Sequence, residues 1–103
     1  MDRIPKLKEL LQLTPKDSFL RHALALEYIK LGEDASAREL FDGILLDEPG
    51  YVGSYYHLGK LLERNQEIDA AIVVYEKGME AAMKAGEKHA YGELRGAHEE
   101  LTL

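Results

Sequence analysis

Cysteine and tryptophan are both absent from the 103 residues. Without cysteine the chain has neither disulfides nor thiolate metal ligands, a composition that fits a reducing compartment. No apolar run approaches the roughly 18 residues of a membrane-spanning helix. The opening MDRIPKLKELLQL also lacks the apolar core of a signal peptide, so the expected location is cytoplasmic. Basic charge is in deficit: 13 Lys and Arg stand against 19 Asp and Glu, for a net −6. The deficit is spread along the chain, with ten acids and seven bases in residues 1–50 and nine and six in the remainder. Neither nucleic acid nor an anionic membrane is therefore an expected partner, because both need a basic surface. Proline is scarce, and two of the three, Pro15 and Pro49, lie 34 residues apart.

That interval organises the rest. Helical periodicity is the dominant pattern, and it predicts six amphipathic helices, at about 2–13, 18–31, 34–47, 52–64, 67–84 and 87–102. Helix one turns Ile4, Leu7, Leu10 and Leu11 to one face. The second starts after Asp17 and Ser18, both good N-caps, carries a core stripe through Leu20, Leu24, Tyr28 and Leu31, and stops at Gly32. Ala37, Leu40, Phe41, Ile44 and Leu45 form the inner face of the third. Tyr55, Leu58, Gly59 and Leu62 do so in the fourth, and Ile68, Ala71, Ile72, Tyr75 and Met79 in the fifth. The last is sparser, with Ala90, Leu94, Ala97 and Leu101. Short connections between such helices predict antiparallel neighbours packed in sequence.

The 34-residue offset carries Leu24 to Leu58, Ala25 to Gly59, Ala37 to Ala71 and Phe41 to Tyr75, although residues 18–51 and 52–85 share only three identities. Size and polarity repeat where spelling does not. At these positions the chain resembles the tetratricopeptide repeat family, whose unit is a helix–turn–helix. The first unit matches at Leu24, Ala25, Tyr28, Ala37, Phe41 and Pro49, the second at Tyr55, Leu58, Gly59, Ala71 and Tyr75. It departs at Arg21, where the family prefers a large aromatic, at Leu62 and at Met83. The resemblance implies an all-α fold of antiparallel helix-turn-helix repeats stacked as a short right-handed α-solenoid. It also implies one domain over 1–103: a half-repeat helix at 1–16, repeats at 18–51 and 52–85, and a capping helix at 86–103. Ala25 and Gly59 are expected where paired helices cross, since a small residue there lets backbones approach.

Candidate chemistry is thin. GSYYHLGKLLER, residues 53–64, looks like a phosphate loop but is not one. Gly53 and Gly59 enclose five residues rather than four, Leu61 follows Lys60 where Ser or Thr is needed, and no strand precedes it. Of His22, His57, His89 and His98, only His89 forms a ligand-type i,i+4 pair, with Glu93. Packing or solvated histidines are favoured over a metal site. The carboxylates Glu63, Glu67, Glu76 and Glu80 are expected on outward faces. No enzyme activity, metal or cofactor is expected.

What the resemblance implies is a concave groove lined by the first helices of successive units. Its positions here are Phe19, His22, Leu26, Ile29 and Lys30 on the second helix and Gly53, Tyr56, Lys60 and Glu63 on the fourth, with Arg64 at the rim and Tyr91 and Arg95 added from the sixth. One subgroup of the family grips the carboxylate of chaperone tails. The corresponding residues here, His22, Leu26, His57, Glu87 and Tyr91, match none of that subgroup's side chains, and Glu87 would repel a carboxylate. The expected function is protein–protein interaction, as scaffold or adaptor, by a groove holding a peptide or helix through Phe19, His22, Leu26, Ile29, Tyr56, Lys60 and Glu63. An extended segment of mixed apolar and acidic character suits aromatics flanked by bases. The protein itself is expected to be a monomer or weak homodimer. The alternative is a homo-oligomer built through a terminal helix, with no peptide ligand.

Overall fold

The computed structural model describes residues 2–103. Six helices follow one another, α1 (Ile4–Leu13), α2 (Ser18–Lys30), α3 (Asp34–Asp47), α4 (Gly53–Arg64), α5 (Ile68–Ala85) and α6 (Lys88–Thr102). Each starts and stops within two residues of the span its periodicity predicts. No strand occurs among the described residues. The helices fall into two compact units, Met1–Glu48 and Pro49–Leu103.

In the first unit α2 packs against both α1 and α3. Ile4, Leu7 and Leu24 form a buried cluster, and Leu11, Leu20, Ala23, Tyr28 and Leu40 close around it. Asp17 caps α2 by accepting from the Leu20 amide at 2.9 Å, while Ser18 donates its hydroxyl to Glu48 at 2.7 Å. Ala25, Ala37, Phe41 and Ile44 are fully buried. Two expectations change. Leu31 leaves the core stripe and is 60% exposed, because α2 ends at Lys30 and Leu31 already belongs to the turn. Arg21 is buried in place of an aromatic. Its guanidinium donates to Asp47 at 2.9 Å and to the Lys16 carbonyl at 2.8 Å.

In the second unit α5 lies between α4 and α6, and α4 also meets α6. Tyr75 is fully buried, and its hydroxyl donates to the Glu63 carboxylate. Glu63 is therefore not the outward-facing acid its spacing suggested; it is held between Tyr75 and Lys60, whose ammonium lies 3.8 Å away. Gly59 occupies the α4–α5 crossing, where an added Cβ would stand 2.2 Å from the Tyr75 ring. Gly78 does the same on α5: a Cβ there would meet the Tyr55 Cβ at 2.6 Å. Sequence periodicity did not single out Gly78, nor the complete burial of Leu61 and Ser54.

Three helix ends share one turn. Gly32, Gln66 and Gly86 have φ of 77°, 64° and 71°. Each donates its amide three residues back, and the next residue donates five back: Glu33 to Tyr28, Glu67 to Leu62 and Glu87 to Ala82, all at 2.9 Å. This is the Schellman arrangement, in which a left-handed residue lets two otherwise orphaned carbonyls be satisfied. Gln66 adopts it without glycine's freedom, at a cost of about 1 kcal/mol.

Candidate functional site

Tyr55 and Tyr56 are adjacent on α4, but a helix turns about 100° per residue, so they serve different neighbours. Tyr55 is buried and donates its hydroxyl to the Pro49 carbonyl at 2.6 Å. Tyr56 is half-buried and lines a cleft of about 230 Å³ between α4 and α6. Val52, Gly53 and His57 complete the α4 wall, and Ala90, Glu93 and Leu94 form the facing wall.

The cleft's electrostatics follow from its partners. The His57 ring stands edge-on to Tyr56 at 5.7 Å. Burial pushes the His57 imidazole below its ordinary value, with Glu93 pulling the other way and Arg64 adding to the depression. His57 is thus neutral at physiological pH. The Lys60 ammonium lies 5.5 Å from the Tyr56 ring centroid, a cation–π contact, while also facing Glu63. Arg95, expected nearby, is turned to Glu99 at 2.8 Å. The bases that were to meet an acidic ligand are therefore engaged inside the unit, and the charged group that lines the cleft itself is the carboxylate of Glu93.

The structure brings Gly53, Tyr56 and His57 to this cleft. Lys60 and Glu63 sit further along α4. Tyr91 lies elsewhere, in a depression with Met83, Gly86 and Lys88 at the α5–α6 turn. Glu93 and Ala90 were not singled out as groove residues, although adding the 34-residue offset to Gly59 and Tyr56 leads to them.

On the first unit, Phe19, His22, Leu26 and Ile29 share one face of α2 at helical spacing. Phe19 is 69% exposed. His22 is half-buried with its ring edge-on to Phe41 at 5.6 Å. Leu26 and Ile29 are half-buried, and neither is among the described members of the cluster around Ile4, Leu7 and Leu24.

The remaining histidines are paired. His89 faces Glu93 at 3.7 Å at the surface, and His98 contacts Glu76 at 2.9 Å. No group of three potential metal ligands gathers among the described residues. Nor is any described helix long and apolar enough to cross a membrane.

Comparison with known proteins converges on one architecture. The family model for the tetratricopeptide repeat matches residues 52–83. The crystal structure of a tetratricopeptide repeat domain protein from Salinibacter ruber is 41% identical, with a TM-score of 0.81 over 84% of this chain and 96% of that one. The TPR2B domain of yeast Sti1, solved as a complex with pHsp70, superposes with a TM-score of 0.89 over 96% of this chain and 79% of that one, at 13% identity. Aspartyl/asparaginyl beta-hydroxylase of Mus musculus is 29% identical over 75 residues, 73% of this chain. The chain spans about a tenth of the length of the curated relatives it matches. The fold is an all-α helical-repeat solenoid, as the resemblance implied.

Proposed function

Because the chain belongs to the tetratricopeptide repeat family, we propose that it is a non-catalytic protein–protein interaction module, and that the α4–α6 cleft holds a segment of its partner. The observation that carries this reading is the cleft itself: an aromatic wall at Tyr56, a neutral His57 and a single lining carboxylate, Glu93. A domain of the same fold, that of yeast Sti1, forms a complex with pHsp70, which supports the class of function.

The partner's chemistry follows from the charges. Lys60 and Arg95 are already occupied by Glu63 and Glu99, so an acidic ligand would compete for them. A ligand with a Lys or Arg beside an apolar residue instead meets Glu93 and the face of Tyr56. The site therefore selects a mixed apolar and basic segment. On the first unit, the α2 strip of Phe19, His22, Leu26 and Ile29 is proposed as a separate contact, with the exposed Phe19 ring as its anchor.

Partner capture tests this with wild type, Tyr56→Ala and Glu93→Lys, each checked for folding by circular dichroism. Both variants are expected to lose the captured partners. Folded variants that retrieve the same proteins as wild type would remove the cleft from consideration.

A further inference from the structure

A second depression, of about 430 Å³, lies on the other side of α4 and shares no lining residue with the cleft. One wall is the α5 ridge carrying Lys77, Ala81 and Ala85; the other is Pro49, Gly50 and the Tyr55 ring. The Tyr55 hydroxyl bond to the Pro49 carbonyl ties ring and loop together, so the floor is pre-formed. Its space comes from small residues: alanines on α5, and Gly50, where an added Cβ would meet nothing within 4 Å.

The charges around this floor have the opposite sign to the molecule as a whole. Lys77, Lys84 and Glu80 line it, two bases against one acid, in a chain of net −6. Lys84 is paired with Glu80 at 3.2 Å. Lys77 has no ion-pair partner among the described residues and is exposed. An exposed, unpaired ammonium beside a rigid apolar hollow of this size, within the range of roughly 300–1,000 Å³ of ligand sites, is complementary to one kind of group. That group is a large apolar side chain flanked by a carboxylate.

We propose that the Tyr55–α5 hollow is a second docking site, which takes an acidic-aromatic segment of a partner protein. The aromatic side chain lies against Tyr55, Ala81 and Ala85, and the neighbouring carboxylate pairs with Lys77. The two sites are selective for opposite charge, so one chain is equipped to join a basic and an acidic segment at once. The proposal is independent of the cleft, and its failure leaves the α4–α6 reading standing.

Two short synthetic peptides serve as probes, one carrying Asp-Trp-Glu and a twin carrying Lys-Trp-Lys, each titrated into isotope-labelled protein and followed by amide chemical shifts. The acidic peptide is expected to give saturable shifts at Gly50, Lys77, Ala81 and Ala85 that weaken as salt is raised. The basic twin, and the acidic peptide on Lys77→Glu, should bind at least about tenfold more weakly, since like charges face each other across the site. Tyr56→Ala should bind the acidic peptide as wild type does. Equal affinity for the twin, no saturation, or shifts centred on Gly53, His57 and Glu93 would overturn the proposal. So would a concentration-dependent increase in mass by light scattering that Lys77→Glu abolishes, because a second copy would then be the occupant.

Discussion

Replacing Gly59 by alanine adds one methyl group, and two effects of opposite sign decide the outcome. Alanine is the better helix former by about 1 kcal/mol, so in open space the change would stabilise α4. Here the methyl carbon would stand 2.2, 2.6 and 2.7 Å from three carbons of the Tyr75 ring. Carbon atoms rest at roughly 3.5–4.0 Å, so the ring must retreat by more than about 1 Å. Tyr75 is fully buried and its hydroxyl is held by Glu63, which leaves no free direction. Overpacking costs about 1–3 kcal/mol. Losing a hydrogen bond to a carboxylate adds about 1.5–3 kcal/mol. Set against the propensity gain, Gly59→Ala should destabilise by about 1.5–5 kcal/mol. Urea denaturation followed by far-UV circular dichroism reads this as a lower midpoint at unchanged slope. The same substitution in a Tyr75→Leu background should cost at least about 1 kcal/mol less, as expected for residues in contact. A Gly59→Ala protein as stable as its parent, or more so, would show that the crossing has slack and refute the reasoning.

Three further outcomes follow from other contacts. Gly92 and Gly96 on α6 have nothing within 4 Å of an added Cβ, so alanine at either should raise stability, by up to about 1 kcal/mol in the same denaturation assay. Arg21→Ala should lower stability by about 2–3 kcal/mol through loss of a buried group bonded to Asp47 and Lys16, and Arg21→Lys should recover little, because one ammonium cannot reproduce the guanidinium fork. Burial and the Glu63 bond raise the Tyr75 phenol far above its ordinary value of about 10, so above that pH the unfolded chain releases a proton that the folded chain keeps. Stability should therefore fall as pH rises past about 10, and Tyr75→Phe should flatten that decline.

The backbone architecture was legible because its signals are local. Helix periodicity, Asp17 as a cap, Gly32 as a stop and the small residues Ala25 and Gly59 each act within a turn or across one hairpin. Side-chain partnerships over longer separations were not legible. Arg21 stood out only as a departure from an expected aromatic; that it is buried against Asp47, 26 residues away, depends on how α2 and α3 pack. Glu63 has the spacing of a solvated acid, and only the position of the Tyr75 hydroxyl makes it a half-buried acceptor. Leu31 went the other way, since a single turn beyond Lys30 carries it out of the stripe. At the cleft the sequence pointed to Tyr56 and expected an acidic ligand from nearby bases, whereas the basic segment proposed above rests on those bases being engaged already. Their engagement by Glu63 and Glu99 is a matter of side-chain reach that periodicity does not encode.

The shared turn at Gly32 and Gln66 bears on how two helix pairs so unlike in sequence close with the same bonds. Its donors and acceptors, at 32, 33, 28 and 29 after α2 and at 66, 67, 62 and 63 after α4, correspond one for one at the 34-residue interval. All of them are main-chain atoms. Nineteen of the twenty amino acids carry the same amide, so the side chains of the two turns can differ almost completely without touching this set of bonds. Proline alone removes the donor, and at Gly32 and Gln66 its ring also fixes φ on the wrong side of zero. At Glu33 and Glu67 the barrier to substitution is thus a single residue type, whereas at Gly32 and Gln66 the left-handed φ also costs any non-glycine residue about 1 kcal/mol. Shape here rests on atoms that nearly every residue carries, so little of it needs to be spelled in side chains.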